Sequence, residues 1–192
     1  MRRSIGSDAL ASALAALALC VSRAAFAADP VVTNVDREGS VLQVRSILVA
    51  DAPATTCYAV LADLDRLADF VPRMKSSRVI SPPGQPTRLH QVGDASTGFF
   101  HVIVDVTLDV KADPPRRLEF HRVAGNLREM QGSWTVTGDA RRCEIRYFAD
   151  IEPEFWVPPL IGAHLAQEQI EEQLRGLLAE IDRRARAARP IK

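Results

Sequence analysis

The sequence predicts an α+β fold in which a curved antiparallel sheet of seven strands is covered by a long C-terminal helix. The first observation is the alternation of apolar and polar residues over residues 99–111, which is typical of a strand with one buried face. The second is a series of short strand patterns joined by brief turns, which indicates an antiparallel meander. The third is one amphipathic helical pattern over residues 158–188, which is long enough to cover the apolar face of the sheet.

The N-terminus has the composition of a cleavable signal peptide. Arg2 and Arg3 precede an apolar run at residues 9–21, and Ala25-Phe26-Ala27 is a small-x-small cleavage site. The apolar run is too short to span a bilayer. We therefore expect residues 1–27 to direct export to the periplasm and to be removed. The paired arginines leave the choice between the Sec and the twin-arginine route open.

The mature chain is expected to consist of a polar lead-in, residues 28–39, and one folded domain, residues 40–188. The first strand pattern covers residues 41–50 and stops at Asp51-Ala52-Pro53, where a helix begins. A second short helix, residues 65–70, ends near a proline because the residue before a proline is disfavoured in helices. The later strand patterns, separated by turns, cover residues 74–80, 88–94, 99–111, 116–123, 127–137 and 142–151.

The pattern of the C-terminal helix changes along its length. Its C-terminal half places leucine and isoleucine on the apolar stripe, whereas its N-terminal half places Ala163, Ala166 and Gln167 there. Small side chains opposite Gly132 of the sheet leave unfilled volume, which is destabilising unless a ligand occupies it. The sequence therefore predicts a cavity beneath this half of the helix. A helix tilted closer to the sheet is the alternative interpretation.

The predicted cavity is lined by residues on the inward phases of the strands and of the helix. They are Phe70, Met74, Phe100, Val102, Val104, Val106, Phe120, Met130, Trp134, Tyr147, Trp156, Leu160, Ala163, Gln167 and Ile170. Arg122 and His164 are candidate contacts for a polar group of the ligand. The apolar run at residues 155–161 is interpreted as a lip of the cavity, a patch that touches membranes, or a packed approach to the helix.

Two cysteines, Cys57 and Cys143, follow the predicted leader, and both lie on apolar faces. Two buried free thiols are the favoured interpretation. A disulfide between them stays open because an exported protein can form one.

Composition and motifs exclude several classes of function. The formal charge is balanced, with 24 basic and 24 acidic residues, which does not fit the basic surface that nucleic acid requires. Nucleotide-binding loops, nucleophile elbows and zinc-protease motifs are missing from the sequence. We predict no catalytic residue, no metal site and no cofactor, and the sequence does not indicate an oligomeric state.

Two stretches and the terminal helix resemble a known family. The stretches are TTCYAVLADLDRLADFVPRMKSSRVI, residues 55–80, and DPPRRLEFHRVAGNLREMQGSWTV, residues 113–136. Together they resemble the START-like (SRPBCC, helix-grip) domains, and within these the polyketide cyclase/dehydrase and lipid-transport group that includes the coenzyme Q-binding proteins. The resemblance implies a helix-grip fold with a deep apolar cavity between the sheet and the last helix. It also implies ligands such as lipids, isoprenoid quinones, polyketides or sterols.

Three functional hypotheses follow. The favoured one is an exported carrier that binds an apolar small molecule in the cavity and makes transient membrane contact. The second is an enzyme of the cyclase/dehydrase type that uses the same cavity, with weak acid–base candidates in Arg122, Tyr147 and His164. The third is a non-enzymatic module that docks on a membrane or another protein through the lip around Trp156.

Overall fold

The computed structural model describes residues 29–96, 101–157 and 162–188. In chain order the elements are β1 (Val31–Glu38), β2 (Val41–Ala50), α1 (Ala54–Leu61), a 3-10 turn (Leu64–Arg66), α2 (Leu67–Phe70), β3 (Met74–Val79), β4 (Thr87–Asp94), β5 (Ile103–Asp113), β6 (Arg117–Gly125), β7 (Leu127–Gly138), β8 (Cys143–Pro153) and α3 (Gly162–Ala187). The predicted signal peptide lies outside the described residues.

The strands form one antiparallel sheet in the order β1-β2-β8-β7-β6-β5-β4-β3. The helices α1 and α2 carry the chain from β2 to the far edge at β3, and the meander then returns until β8 pairs with β2. This arrangement leaves one face of the sheet for α3 to cover. The predicted α+β helix-grip architecture is confirmed.

The sheet has eight strands, where the sequence predicted seven. The segment expected to be a polar lead-in contains β1, which pairs with β2 along its whole length. The inward face of β1 includes Thr33, whose hydroxyl hydrogen-bonds that of Ser46 at 3.0 Å. A buried polar pair of this kind satisfies its own hydrogen bonds. It also interrupts the apolar alternation by which the strand would have been recognised.

Cys57 and Cys143 form a disulfide, so the favoured interpretation as free thiols was wrong. Cys57 lies on α1 and Cys143 at the start of β8, and both side chains are buried. The sequence places each cysteine on an apolar face, but only the packing of α1 over this end of the sheet brings the two together. The bond therefore ties the helical crossover to the sheet.

The C-terminal half of α3 is packed into the main core. Leu174, Leu177, Leu178, Ile181 and Ala185 are buried there against α1 and the disulfide end of the sheet. At Gly176 the backbone of α2 comes so close that an added Cβ would lie about 2.5 Å from the carbonyl oxygen of Phe70. Glycine therefore permits this close approach.

Candidate ligand-binding site

A cavity with two adjoining compartments lies between the sheet and α3. The inner compartment, about 160 Å³, is enclosed by α1, α2, the central strands and the middle of α3. The outer compartment, about 270 Å³, extends to the N-terminal half of α3 and to the segment around Trp156. Both are lined mainly by apolar side chains, as small-molecule sites generally are.

The two compartments meet at a shared ring of side chains, which we call the waist. The waist consists of Met74, Gln91, Met130, Tyr147, Ile170 and Gln173, all of which line both compartments. It combines flexible apolar side chains with three neutral hydrogen-bonding groups. A ligand that occupies both compartments must pass these groups.

Most of the residues predicted for the cavity lie in its wall. The predicted residues that line it are Met74, Val102, Val104, Val106, Phe120, Met130, Trp134, Tyr147, Trp156 and Ile170. Phe100 and Leu160 fall outside the described residues. The inward phase of β5 is the one predicted, since Val104, Val106 and Leu108 all face the cavity side.

Gln167 does not line the cavity, in contrast to the prediction, and Gln169 and Gln173 are the amides of α3 that do. At about 100° per residue, Gln167 and Gln173 lie on opposite flanks of Ile170, each about 60° from it. The flank with Gln167 continues to Glu171, which accepts a hydrogen bond from Gln167, and to Arg175, which pairs with Asp29 beside β1. Because the sequence missed β1, it could not indicate which flank is covered.

Phe70 and Ala163 also lie away from the described cavity wall. The ring of Phe70 packs against the main core and under the guanidinium of Arg184, 5.6 Å from its centroid. The short helix α2 thus turns Phe70 toward the C-terminal end of α3. Ala163 packs, beside the outer compartment, against an apolar cluster of the sheet that includes Val44, Val106 and Leu108.

Neither predicted polar contact reaches the cavity. His164 is 72% exposed and pairs with Glu168 one turn along the helix. Arg122 shares a face with Phe120, but one extra residue in β6, opposite Thr107 and Leu108, disturbs the register there. Its guanidinium donates to the carbonyl oxygen of Gly125 at 2.8 Å, while its Nε is buried without a partner.

The sequence suggested that Gly132 leaves open volume beneath α3, but the structure shows that this space is filled. A Cβ added at Gly132 would lie 2.7 Å from the Cζ atom of Phe120, so the phenyl ring occupies the space above the glycine. Among the α3 residues that line the outer compartment, the small ones are Gly162 and Ala166. The interpretation of small helix residues as a sign of a cavity therefore holds for Ala166, which lines the outer compartment.

Three aromatic rings form a shelf at the waist. Tyr147 stacks on Trp134 with 4.0 Å between ring centroids, and the centroid of Phe120 lies 6.3 Å from that of Tyr147. Burial raises the pKa of the Tyr147 hydroxyl above its usual value. The hydroxyl therefore stays protonated at neutral pH and can donate a hydrogen bond.

Asp94 is the charged residue among the described lining residues, and its charge is already compensated. Its carboxylate accepts a hydrogen bond from the backbone N–H of Ser96 at 2.9 Å and pairs with Lys75 at 3.0 Å. The hydrogen bonds from Ser96, followed by the contact with Lys75, hold the pKa of Asp94 far below its usual range. Gln169 donates to the carbonyl oxygen of Ala95 and so joins this rim to α3.

Sequence reasoning missed Gln91 as a site residue. Gln91 lies two residues after the buried Leu89 on β4 and therefore on the same, inward face of the strand. The polar character of this strand concealed its register.

The part of the chain described here holds no group of three or more His, Cys, Asp or Glu side chains able to bind a metal ion. The same residues include no helix long and apolar enough to cross a membrane.

Comparison with known proteins gives one family. The model of the family described as polyketide cyclase/dehydrase and lipid transport matches residues 50–177. These residues include α1, α2, all strands from β3 to β8 and the part of α3 up to residue 177. No curated protein matches the chain by sequence.

Solved structures share the fold at low identity. The Zhui aromatase/cyclase from Streptomyces sp. R1128 superposes with a TM-score of 0.66 and 20% identity, covering 79% of this chain and 99% of that chain. A STAR-related lipid transfer protein from Xanthomonas axonopodis superposes with a TM-score of 0.63 and 16% identity, covering 80% of this chain and 94% of that chain. A START superfamily protein from Mycobacterium smegmatis superposes with a TM-score of 0.63 and 14% identity, covering 73% of this chain and 97% of that chain. Fold similarity at this level does not assign an activity.

Proposed function

Because the chain belongs to the polyketide cyclase/dehydrase and lipid transport family, we propose that it is an exported carrier for an apolar small molecule of the lipid, isoprenoid quinone or polyketide-like type. The resemblance noted in residues 55–80 and 113–136 is confirmed by the family match. The observation that carries the proposal is the two-compartment apolar cavity beneath α3. The carrier would hold its ligand there, away from water.

Burial of apolar surface would supply most of the affinity. Each Å² of apolar ligand surface removed from water contributes about 25 cal/mol. The aliphatic and aromatic walls of both compartments offer this burial, and the neutral polar groups at the waist would orient the ligand.

The proposed export is supported by two independent features. The leader pattern at residues 1–27 is one. The disulfide between Cys57 and Cys143 is the other, because such bonds persist in oxidising compartments such as the periplasm.

The lip offers a route for loading and release. Trp156 is 68% exposed and lines the outer compartment. A large exposed aromatic side chain at a cavity opening suits transient contact with a membrane surface. We expect Trp156→Ala to slow transfer of ligand to vesicles while leaving the affinity for ligand within about threefold.

The experiment that tests the carrier proposal is native mass spectrometry of the mature chain purified from periplasm, with organic extraction of the bound molecule. We expect one apolar molecule per chain. The variant Ala166→Trp, which fills the outer compartment, should lose it, whereas Gln167→Trp on the other flank should retain it. A wild-type chain that carries nothing and takes up no quinone, fatty alcohol or phospholipid would contradict the proposal.

Cyclase-type chemistry is the second candidate, and the observation that favours it is the hydroxyl of Tyr147 inside the cavity. Tyr147 and Asp94 are the titratable side chains among the described lining residues. The raised pKa makes the Tyr147 hydroxyl a poor proton donor at neutral pH, and Asp94 is engaged by Lys75. The site is therefore better suited to holding a molecule than to transferring its protons.

A further inference from the structure

We propose that the ligand spans both compartments and places an uncharged oxygen, a carbonyl or a hydroxyl, at the waist, so that free carboxylates and phosphates are rejected. This inference rests on the proposed carrier function and specifies the chemical class of its ligand. It is carried by three features of the cavity: its size, the orientation of its amides and its lack of available charge.

The size argument concerns the two volumes. Pockets for small molecules generally measure about 300–1,000 Å³. The inner compartment of about 160 Å³ and the outer one of about 270 Å³ each fall below this range, and together they enter it. A single elongated ligand that fills both must therefore cross the waist.

The hydrogen-bond network sets the direction of one waist amide. The Oγ of Ser77 donates to the carbonyl oxygen of Leu64 at 2.6 Å, so this hydroxyl must accept from Gln91. The Nε2 of Gln91 lies 3.1 Å from it and is the donor. The Oε1 of Gln91 is thereby left as an acceptor for the ligand.

The other polar groups of the waist complement this acceptor. The Tyr147 hydroxyl is a neutral donor held by ring stacking on Trp134. The amide of Gln173 makes no hydrogen bond to any residue that the structure describes, and it offers both a donor and an acceptor. A hydroxyl could use Gln91 and Tyr147 together, and a carbonyl could accept from Tyr147 or Gln173.

None of the side chains of the waist carries a charge. The described lining residues include no lysine, arginine or histidine, and the one carboxylate among them, Asp94, is already paired with Lys75. A carboxylate at the waist would lose its hydration without gaining a cation. Arg122, which shares a face of the sheet with Phe120, directs its guanidinium to Gly125 and is not part of the wall.

Three probes of equal chain length test the inference: dodecanol, dodecanoate and dodecane, each displacing a fluorescent apolar dye from the mature protein. Near pH 7.5, where the carboxylic acid is ionised, we expect dodecanol to bind at least ~100-fold more tightly than dodecanoate. Dodecanol should also bind roughly 10-fold more tightly than dodecane, because only the alcohol satisfies the waist groups.

Two variants locate the preference at the waist. Gln173→Met and Tyr147→Phe should each reduce the preference for dodecanol over dodecane by roughly 5-fold. Gln167→Met is the matched control, since it removes the amide on the opposite flank of α3 and should leave the preference unchanged. Circular dichroism confirms that each variant is folded.

The outcomes separate this inference from the carrier proposal. If all three probes bind with equal affinity, the inference is overturned and the carrier proposal stands. Tight dodecanoate binding that disappears in Arg122→Leu would overturn it as well, and would assign ligand recognition to Arg122. If neither the dye nor any probe binds, the carrier proposal itself fails.

Discussion

The two halves of α3 differ in what they cover. Residues 174–185, the packed end, bury leucine and isoleucine side chains against α1 and the disulfide. Residues 162–173, the hollow end, lie over the outer compartment and the waist and expose alanine and glutamine to the cavity. A cavity lowers stability in proportion to the contacts it removes. One helix therefore combines an end that stabilises the fold with an end that leaves room for a ligand.

The packed end also holds a group of ion pairs. Glu180 is buried and accepts hydrogen bonds from Arg183 and Arg184 at 2.6–2.7 Å, and Arg184 bonds to Asp63 after α1 at 2.6 Å. Such charged networks demand a defined geometry. These ion pairs hold the packed end of α3 against the segment that follows α1.

The largest effect is expected from removing the disulfide. Cys57→Ala with Cys143→Ala should lower the free energy of unfolding by about 4 kcal/mol, because the bond closes a loop across a sequence separation of 86 residues. Urea unfolding of both proteins measures the difference. The double variant should respond equally to oxidising and reducing buffers. An unchanged unfolding midpoint would show that the packed end does not depend on this bond.

Truncation of one isoleucine at each end tests the comparison directly. Ile181 is 0% exposed, and Ile181→Ala should cost about 3 kcal/mol because it creates a cavity in a filled core. Ile170→Ala should cost only about 1 kcal/mol in the ligand-free protein, because that side chain already borders open volume. Thermal and urea unfolding measure both. Equal losses would mean that the two ends are packed alike.

Acid should weaken the packed end through Glu180. Hydrogen bonds from Arg183, together with Arg184, lower the pKa of Glu180 from 4.5 to about 2. A lowered pKa in the folded state means that the stabilisation is complete above about pH 4.5 and is lost as the pH falls toward 2. We expect a loss of about 1 kcal/mol, since Arg183 is largely exposed to solvent. Glu180→Gln should remove this part of the pH dependence, and an identical acid profile in the variant would refute its origin.

The smallest change in stability is expected from filling the hollow end. Ala166→Leu should raise the free energy of unfolding by about 0.5–1 kcal/mol, because the added side chain occupies part of the outer compartment. The same variant should weaken binding of apolar probes at least ~10-fold. Gln167→Leu is the control on the covered flank and should leave probe binding unchanged. Stabilisation without loss of binding would place the ligand outside this compartment.

Local sequence patterns were sufficient to predict the buried faces of several elements. Alternation in residues 99–111 predicted the inward face of β5, and the apolar stripe of α3 predicted its packed end. The same rules failed where a polar side chain stood at an inward position. Thr33 concealed β1, and the polar sequence of β4 concealed Gln91, since hydrogen-bond partners such as Ser46 and Ser77 come from distant positions.

The sequence by itself determined the inward face of β5, the resemblance to the family and most of the apolar wall of the cavity, because periodic burial is a local property of a chain. Only the tertiary structure decided that Cys57 pairs with Cys143, that β1 packs against one flank of α3, and that Gln173 rather than Gln167 faces the cavity. Each of these depends on how one element is rotated against another. That rotation is set by packing between residues far apart in the chain, which the spacing of residues within a single element does not contain.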